Sequence, residues 1–352
     1  MHDRLSLSRR KLLSGSAAVS VLSVARGADA QSGRLVYATW GGSWEKAIRD
    51  AWFDPFTKQT GIAVVTTGGN TYGKFRAMVE SGRVEWDVVE VNPDFQWIGQ
   101  KENLLEKLDF SVIDRSAIMP GEDLVTDYSV PQVLWSRVLF YNTGAFSAGK
   151  HPRDWTEVWD RKAFPGKRAF ASKANSGTLE AALLADGVPM DKIYPIDVDR
   201  ALNSLSRIKD DIVWYDTNAQ AEQFMTDGQA VLGLVPDGRA LSVIDRKAPV
   251  AIEYNQSMMT WSTMVVPRGA PDRDAAMRFL AYALSPQAQA AVAMNYTYGP
   301  VVPAAFAKLP PERAKILSGG PQQTGKYLLV SEHWWGENLA AVTDKLNAWR
   351  LA

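Results

Sequence analysis

The sequence predicts an α/β protein of two lobes, with mixed, mainly parallel sheets and a cleft between the lobes. Three observations lead there. Short apolar runs alternate with stretches of helical periodicity, the pattern of parallel strands joined by right-handed crossovers. That pattern runs from residue 35 to about residue 91 and returns after residue 178. The chain, 352 residues long, is also long enough for two domains.

The first 30 residues stand apart. Arg4, Arg9, Arg10 and Lys11 precede a small-residue, moderately apolar stretch at 12–25, and Ala28-Asp29-Ala30 supplies an A-x-A site. This is the layout of a secretory signal. The paired arginines of "SRRKLL", before a run weakened by Ser14, Gly15 and Ser16, match a twin-arginine signal. The run is too short to span a bilayer. The expectation is export to a bacterial periplasm with cleavage after Ala30, which leaves 322 residues. The whole chain holds 39 Lys/Arg and 39 Asp/Glu; five and two of these lie in the leader, leaving 34 and 37, near −3. A slightly acidic chain offers no basic excess for nucleic acid or an anionic membrane. Cysteine is absent, so burial alone must stabilise the fold. His151 and His333 are far apart and no Cys/His spacing suits a metal, so no cofactor is expected.

Residues 35–38 read as the first strand. Trp44, Ala47, Ile48, Ala51 and Trp52 then recur at helical spacing. Asp54-Pro55 restarts a short helix that Gly61 ends. A strand at 62–66 follows, then a helix marked by Tyr72, Phe75, Met78 and Val79 and closed by Gly82. Val88, Val89 and Val91 mark residues 87–91 as a strand of the buried parallel kind. In the second half, helices are expected at 178–185, 199–208, 219–225 and 238–244. Strands are expected at 213–215, 230–235, 250–254 and 264–266. Two more helices, punctuated by Ser285-Pro286, a Pro/Gly-rich stretch at 299–321 and a last helix around 338–351 complete the chain.

Motifs in this order carry a resemblance: "FDPFTKQTGIAVV", "EWDVVEVNPDF", "NLLEKLD", "LLADGVP", "MTDGQAVLGLVPDGRA", and the block in which "VPRGAP" leads into "AAMRFLAYALSPQAQ" and "YGPVVPAA". The chain resembles the solute-binding proteins of ABC importers in the spermidine/putrescine-binding family. That resemblance implies the type II periplasmic binding protein fold, closing by hinge motion and docking on a membrane permease. It places 33–137 and 254–310 in lobe 1 and 138–253 in lobe 2. Residues 311–352 are expected to form a helical segment packing on lobe 2.

Ligands in open α/β sheets bind beyond the carboxyl ends of the strands. Four loops sit there and open into helices: Gly41-Gly42-Ser43, 68–72, 175–178 and Asp237-Gly238-Arg239. Exposed amides at helix starts favour negative charge. The dinucleotide and P-loop patterns are absent. So is G-x-S-x-G, and no enzyme is expected. The resemblance implies carboxylates that hold amines, one set at the helix near Thr178 and another before "VPRGAP". Here Ala174, Asn175, Ser176 and Gly177 stand at the first place and Ser262 and Thr263 at the second, and Lys173 adds a positive charge. The expected ligand is therefore a small polar metabolite bearing a carboxylate, or a zwitterion, with a polyamine as the alternative. Gly42, Ser43, Ser176, Gly177, Thr178 and Arg239 are the candidate anion contacts. Trp40 and Trp261 are candidate aromatic walls, and Tyr72 and Asn92 candidate polar contacts. Trp44 reads as core. Glu90, Asp94 and Asp237 are left open as amine contacts. Ferric iron on Tyr296 and Tyr298 is a weaker alternative, as is an exported enzyme. A monomer is expected, with the permease as its protein partner.

Overall fold

The computed structural model describes residues 33–121, 123–147 and 149–352; the predicted export signal lies outside them. Among these residues nine strands form one mixed sheet. They are β1 (Arg34–Ala38), β2 (Ala63–Thr67), β3 (Val88–Val91), β4 (Ser129–Asn142), β5 (Arg168–Ala171), β6 (Ile212–Tyr215), β7 (Leu232–Pro236), β8 (Val250–Val265) and β9 (Tyr327–Leu329). The order is β2-β1-β3-β8-β4-β7-β5-β6, with β9 added beside β8. Pairings within β2-β1-β3 and within β7-β5-β6 are parallel, and β8 and β4 join the two sets through antiparallel pairings.

Each parallel set is covered on both faces, as all-parallel strands must be. In the first lobe Trp52, Phe53 and Phe279 pack on one face and Phe75, Trp86 and Phe95 on the other. In the second, Phe170, Leu179 and Leu205 face Phe140, Met225 and Val243 across the sheet. Burial of each such side chain is worth roughly 1.5–3 kcal/mol, which is how a cysteine-free chain of this size stays folded. Local signals hold where the sequence is punctuated. The helix Tyr72–Ser81 starts on Thr71, whose hydroxyl accepts from Lys74 N, and ends at Gly82 with φ 67°. Ser285 caps the helix Pro286–Asn295 in the same way. Among the described residues, no helix is long and apolar enough to cross a membrane.

Four strands differ from expectation. β4, β5 and β9 were not anticipated, and the separate strands at 250–254 and 264–266 are two ends of one 16-residue strand, β8. Glu253, Asn255, Gln256 and Ser257 interrupt the apolar pattern of β8, and its continuity comes from its partners. β4 contains Pro131, which ordinarily argues against a central strand; it sits beside the first shift in the β4–β8 register, between Pro131 and Val133. A second shift is larger. Arg137 pairs with Met258 but Leu139 with Glu253, so residues 254–257 leave the ladder opposite Val138. Gln256 takes a left-handed φ of 56° in this bulge. Trp155 grips it, its amide and indole N–H both donating to Gln256 at 3.0 Å. β9 pairs with Ser257, Met258 and Met259 beside it.

The C-terminal segment touches both lobes. The helix Glu332–Leu351 buries Trp335, Val342 and Leu346 in the second lobe's core. The His333 ring lies 4.5 Å from that of Trp97, on the helix Asp94–Lys101 of the first lobe.

Candidate functional site

The loop after β1, Thr39 to Trp44, is built around one carboxylate. Glu90 on β3 is fully buried and accepts from Trp44 Nε1 (2.7 Å), Trp40 N (2.8 Å), Gln132 Nε2 (2.8 Å), Thr39 Oγ1 (3.0 Å) and Tyr37 OH (3.2 Å). Burial raises its pKa, and the donors of Trp40, Gln132, Trp44 and Thr39 work against that rise. Gly41 and Gly42 have φ of 77° and 65°, a consecutive left-handed pair that permits the sharp turn into the helix Gly42–Ile48. Trp44 is core, as expected. Its ring meets Tyr296 and Tyr298 edge-on at 5.3 and 5.4 Å, and so supports two residues that line the cleft.

A cavity of about 960 Å³ opens at the carboxyl ends of the strands, walled by both lobes. Of the candidate residues, Ser43, Asn92, Ser176 and Arg239 line it together, joined by Asp94, Asp237, Tyr296 and Tyr298. Gly42 makes the turn beneath Ser43 and is not on the wall. Gly177 has φ 84°, and a Cβ there would meet Met258 Sδ at 2.5 Å, so it serves packing. Thr178 is buried with its hydroxyl donated to Ala171 O at 3.3 Å. The expected hydroxyl-lined helix start thus reduces to Ser176. Tyr72 stands behind the wall, donating to Asp94 Oδ1 at 2.9 Å. Trp40 is 47% exposed outside the cavity lining.

Trp261 is in the core. It is fully buried against Ile48, Leu134 and their neighbours, because successive residues of a strand point to opposite faces. Its neighbour Thr260 faces the cavity instead. Glu90, saturated beneath its loop, is likewise absent from the wall.

The same alternation brings forward residues that the sequence reading missed. Trp135 and Arg137, two apart on β4, both line the cavity. The Arg137 guanidinium carbon lies 4.8 Å from the Trp135 ring centroid, within cation–π range. Among the described residues no acid comes within 4 Å of it. Arg239 is different: Glu222 bridges it (3.4 Å) to Arg246 (2.7 Å). A lone arginine in the apolar run "VLWSRVLF" was the available signal for Arg137.

Acids share the cavity. Asp237 is fully buried and accepts from Ser136 N (3.1 Å), Ser318 Oγ (2.6 Å) and Gly238 N (2.7 Å). Burial still pushes its pKa up to about 6. Glu332, also missed, lines the cavity from the first turn of the C-terminal helix, and burial pushes it up to about 7. The wall therefore presents both signs of charge, suited to a ligand with an anionic and a cationic end. Among the described residues no cluster of His, Cys, Asp and Glu could hold a metal ion.

Comparison with known proteins agrees with this geometry. The family profile of bacterial extracellular solute-binding proteins matches residues 51–316. A gamma-aminobutyric acid-binding protein of Pseudomonas aeruginosa is 32% identical over 93% of this chain and 94% of its own length. A spermidine/putrescine-binding periplasmic protein of Haemophilus influenzae is 24% identical over 69% of each. A solved GABA receptor is 39% identical and superposes with a TM-score of 0.80, covering 90% of this chain and 97% of that one.

Proposed function

Because this chain belongs to the bacterial extracellular solute-binding protein family, we propose that it captures a short ω-amino carboxylate of the γ-aminobutyrate type. The protein is a substrate-binding component of an ABC importer, of the two-lobed periplasmic binding class, and takes up a small polar solute. Its ligand chemistry rests on one observation. Arg137, half-buried and stacked on Trp135, has no acid within 4 Å among the described residues, although acids line the same cavity. A half-buried guanidinium with its donors uncommitted is a receptor for a carboxylate, which takes two of them side by side. A polyamine would set a further cation against it.

The relatives named for γ-aminobutyrate support this reading, as does the absence of acids at residues 174–177. Capture is by closure of lobe 2 (138–253) on lobe 1 (33–137 and 254–310). The bulge at 254–257, where β8 leaves the β4 ladder, is the hinge. Trp40, on its anchored loop, swings over the ligand as the cleft shuts. The leader directs folded export to the periplasm and is removed after Ala30.

Calorimetric titration with γ-aminobutyrate, butyrate, putrescine and spermidine tests the assignment. γ-Aminobutyrate should bind most tightly and the polyamines should give no heat beyond dilution. A diamine that binds as tightly as the amino acid overturns it.

A further inference from the structure

The family profile stops at residue 316, short of the segment that closes the cavity floor. β9 lies beside the bulge of β8, and Ser331 then caps the last helix by accepting from Trp334 N at 3.3 Å. The side chains of its first turn diverge. His333 meets Trp97 of the first lobe, and Trp335 Nε1 donates to Glu180 Oε1 of the second at 2.8 Å. Glu332 turns into the cavity, where Oε1 accepts from Thr260 Oγ1.

We propose that Glu332 is the ammonium receptor of the site, so that the C-terminal strap across the two lobes sets specificity for the amine end of the ligand. This rests on the reading of the ligand as an ω-amino carboxylate. Of the other acids on the wall, Asp237 is filled by three donors, Asp216 and Asp245 are exposed to solvent, and Asp94 takes Tyr72 as Glu332 takes Thr260. Glu332 Oε2 has no hydrogen-bond partner among the described residues. Glu332 and Arg137 also make no ion pair within 4 Å of each other. A zwitterion laid between them answers both charges, and the spacing of the two groups then selects the length of the aliphatic chain.

The groups around Glu332 come from five further segments. Arg137 on β4 favours its ionised form, while Asp94 and Glu180 oppose it; the Tyr194 hydroxyl is nearby and Thr260 on β8 donates to it. With the carboxyl pushed up to about 7, the receptor is largely neutral at pH 6 and charged at pH 8. Affinity for the ammonium should rise across that window.

The test is titration of the intact protein with γ-aminobutyrate at pH 6, 7 and 8, for the wild type, Glu332→Gln, Glu332→Asp and Arg137→Met. The wild type should gain several-fold in affinity from pH 6 to 8. Glu332→Gln should bind at least tenfold more weakly at pH 8 with a flat profile, and Glu332→Asp should regain part of the slope. Should Glu332→Gln fail to fold, Thr260→Val replaces it: weaker binding with the pH slope kept supports the proposal, and unchanged binding overturns it. Wild-type affinity and slope in Glu332→Gln, with binding lost in Arg137→Met, overturns the receptor role and leaves the ligand class standing. A wild type that binds no ω-amino acid overturns both.

Discussion

Glu90 and Arg137 sit on strands of one sheet, and the protein uses their charges in opposite ways. Glu90 has five donors from four segments of chain and no access to the cavity. Arg137 faces the cavity, backed by an indole ring, with its donors uncommitted among the described residues. A buried charge with its valences filled organises structure, because removing it strands every partner. A half-buried charge with its valences open is the kind of group proposed to meet a ligand. The loop "TWGGSW" thus owes its shape to the first kind.

The contrast can be broken from either side. Glu90→Ala should cost the most, at least about 3 kcal/mol in urea unfolding, since each stranded buried donor costs roughly 1–3 kcal/mol. A variant of wild-type stability would remove Glu90 from the structural class. Arg137→Met should unfold at nearly the wild-type urea midpoint yet lose about 1.5–3 kcal/mol of γ-aminobutyrate binding, roughly ten- to a hundredfold. A large stability loss with affinity intact would reverse the assignment.

Asp237 lies between the two, walled into the cavity but holding three donors. Its pKa is raised in the folded state, from 3.8 to about 6, so the native protein holds this proton more tightly than the unfolded chain does. The stability it contributes is complete below about pH 4 and disappears as pH rises through about 6. Asp237→Asn should flatten that part of the curve by an amount on the order of 2 kcal/mol, read as urea midpoints from pH 4 to 7. An unaltered slope would mean that another group carries the proton. The smallest effect belongs to Trp40→Ala, which should change stability by no more than about 0.5 kcal/mol because the ring is exposed. Its affinity for γ-aminobutyrate should still fall, and unchanged affinity would remove Trp40 from the closing wall.

Local sequence carried much of the architecture. Strand-helix alternation, caps such as Thr71 and Ser285, and glycine stops such as Gly61 and Gly82 act within a few residues, so they are legible without knowing the partners. The same is true of Ser43, Asn92, Ser176 and Arg239, which sit on loops or first helical turns just past strand ends and do line the cavity. β4 and the middle of β8 were not legible, because their polar residues are stabilised by strands distant in sequence. With β4 unread, Trp135 and Arg137 went with it.

The sequence by itself determined the class of this protein: two α/β lobes and an ordered set of family motifs. Tertiary structure decided which side chains face the cavity. Trp261 and Thr260 are neighbours, yet one is core and the other faces the cleft, since a strand turns successive side chains to opposite faces. Whether a carboxylate such as Glu90 is filled or a guanidinium such as Arg137 is open depends on donors and acceptors brought from remote segments. That is a property of packing, and no local pattern records it.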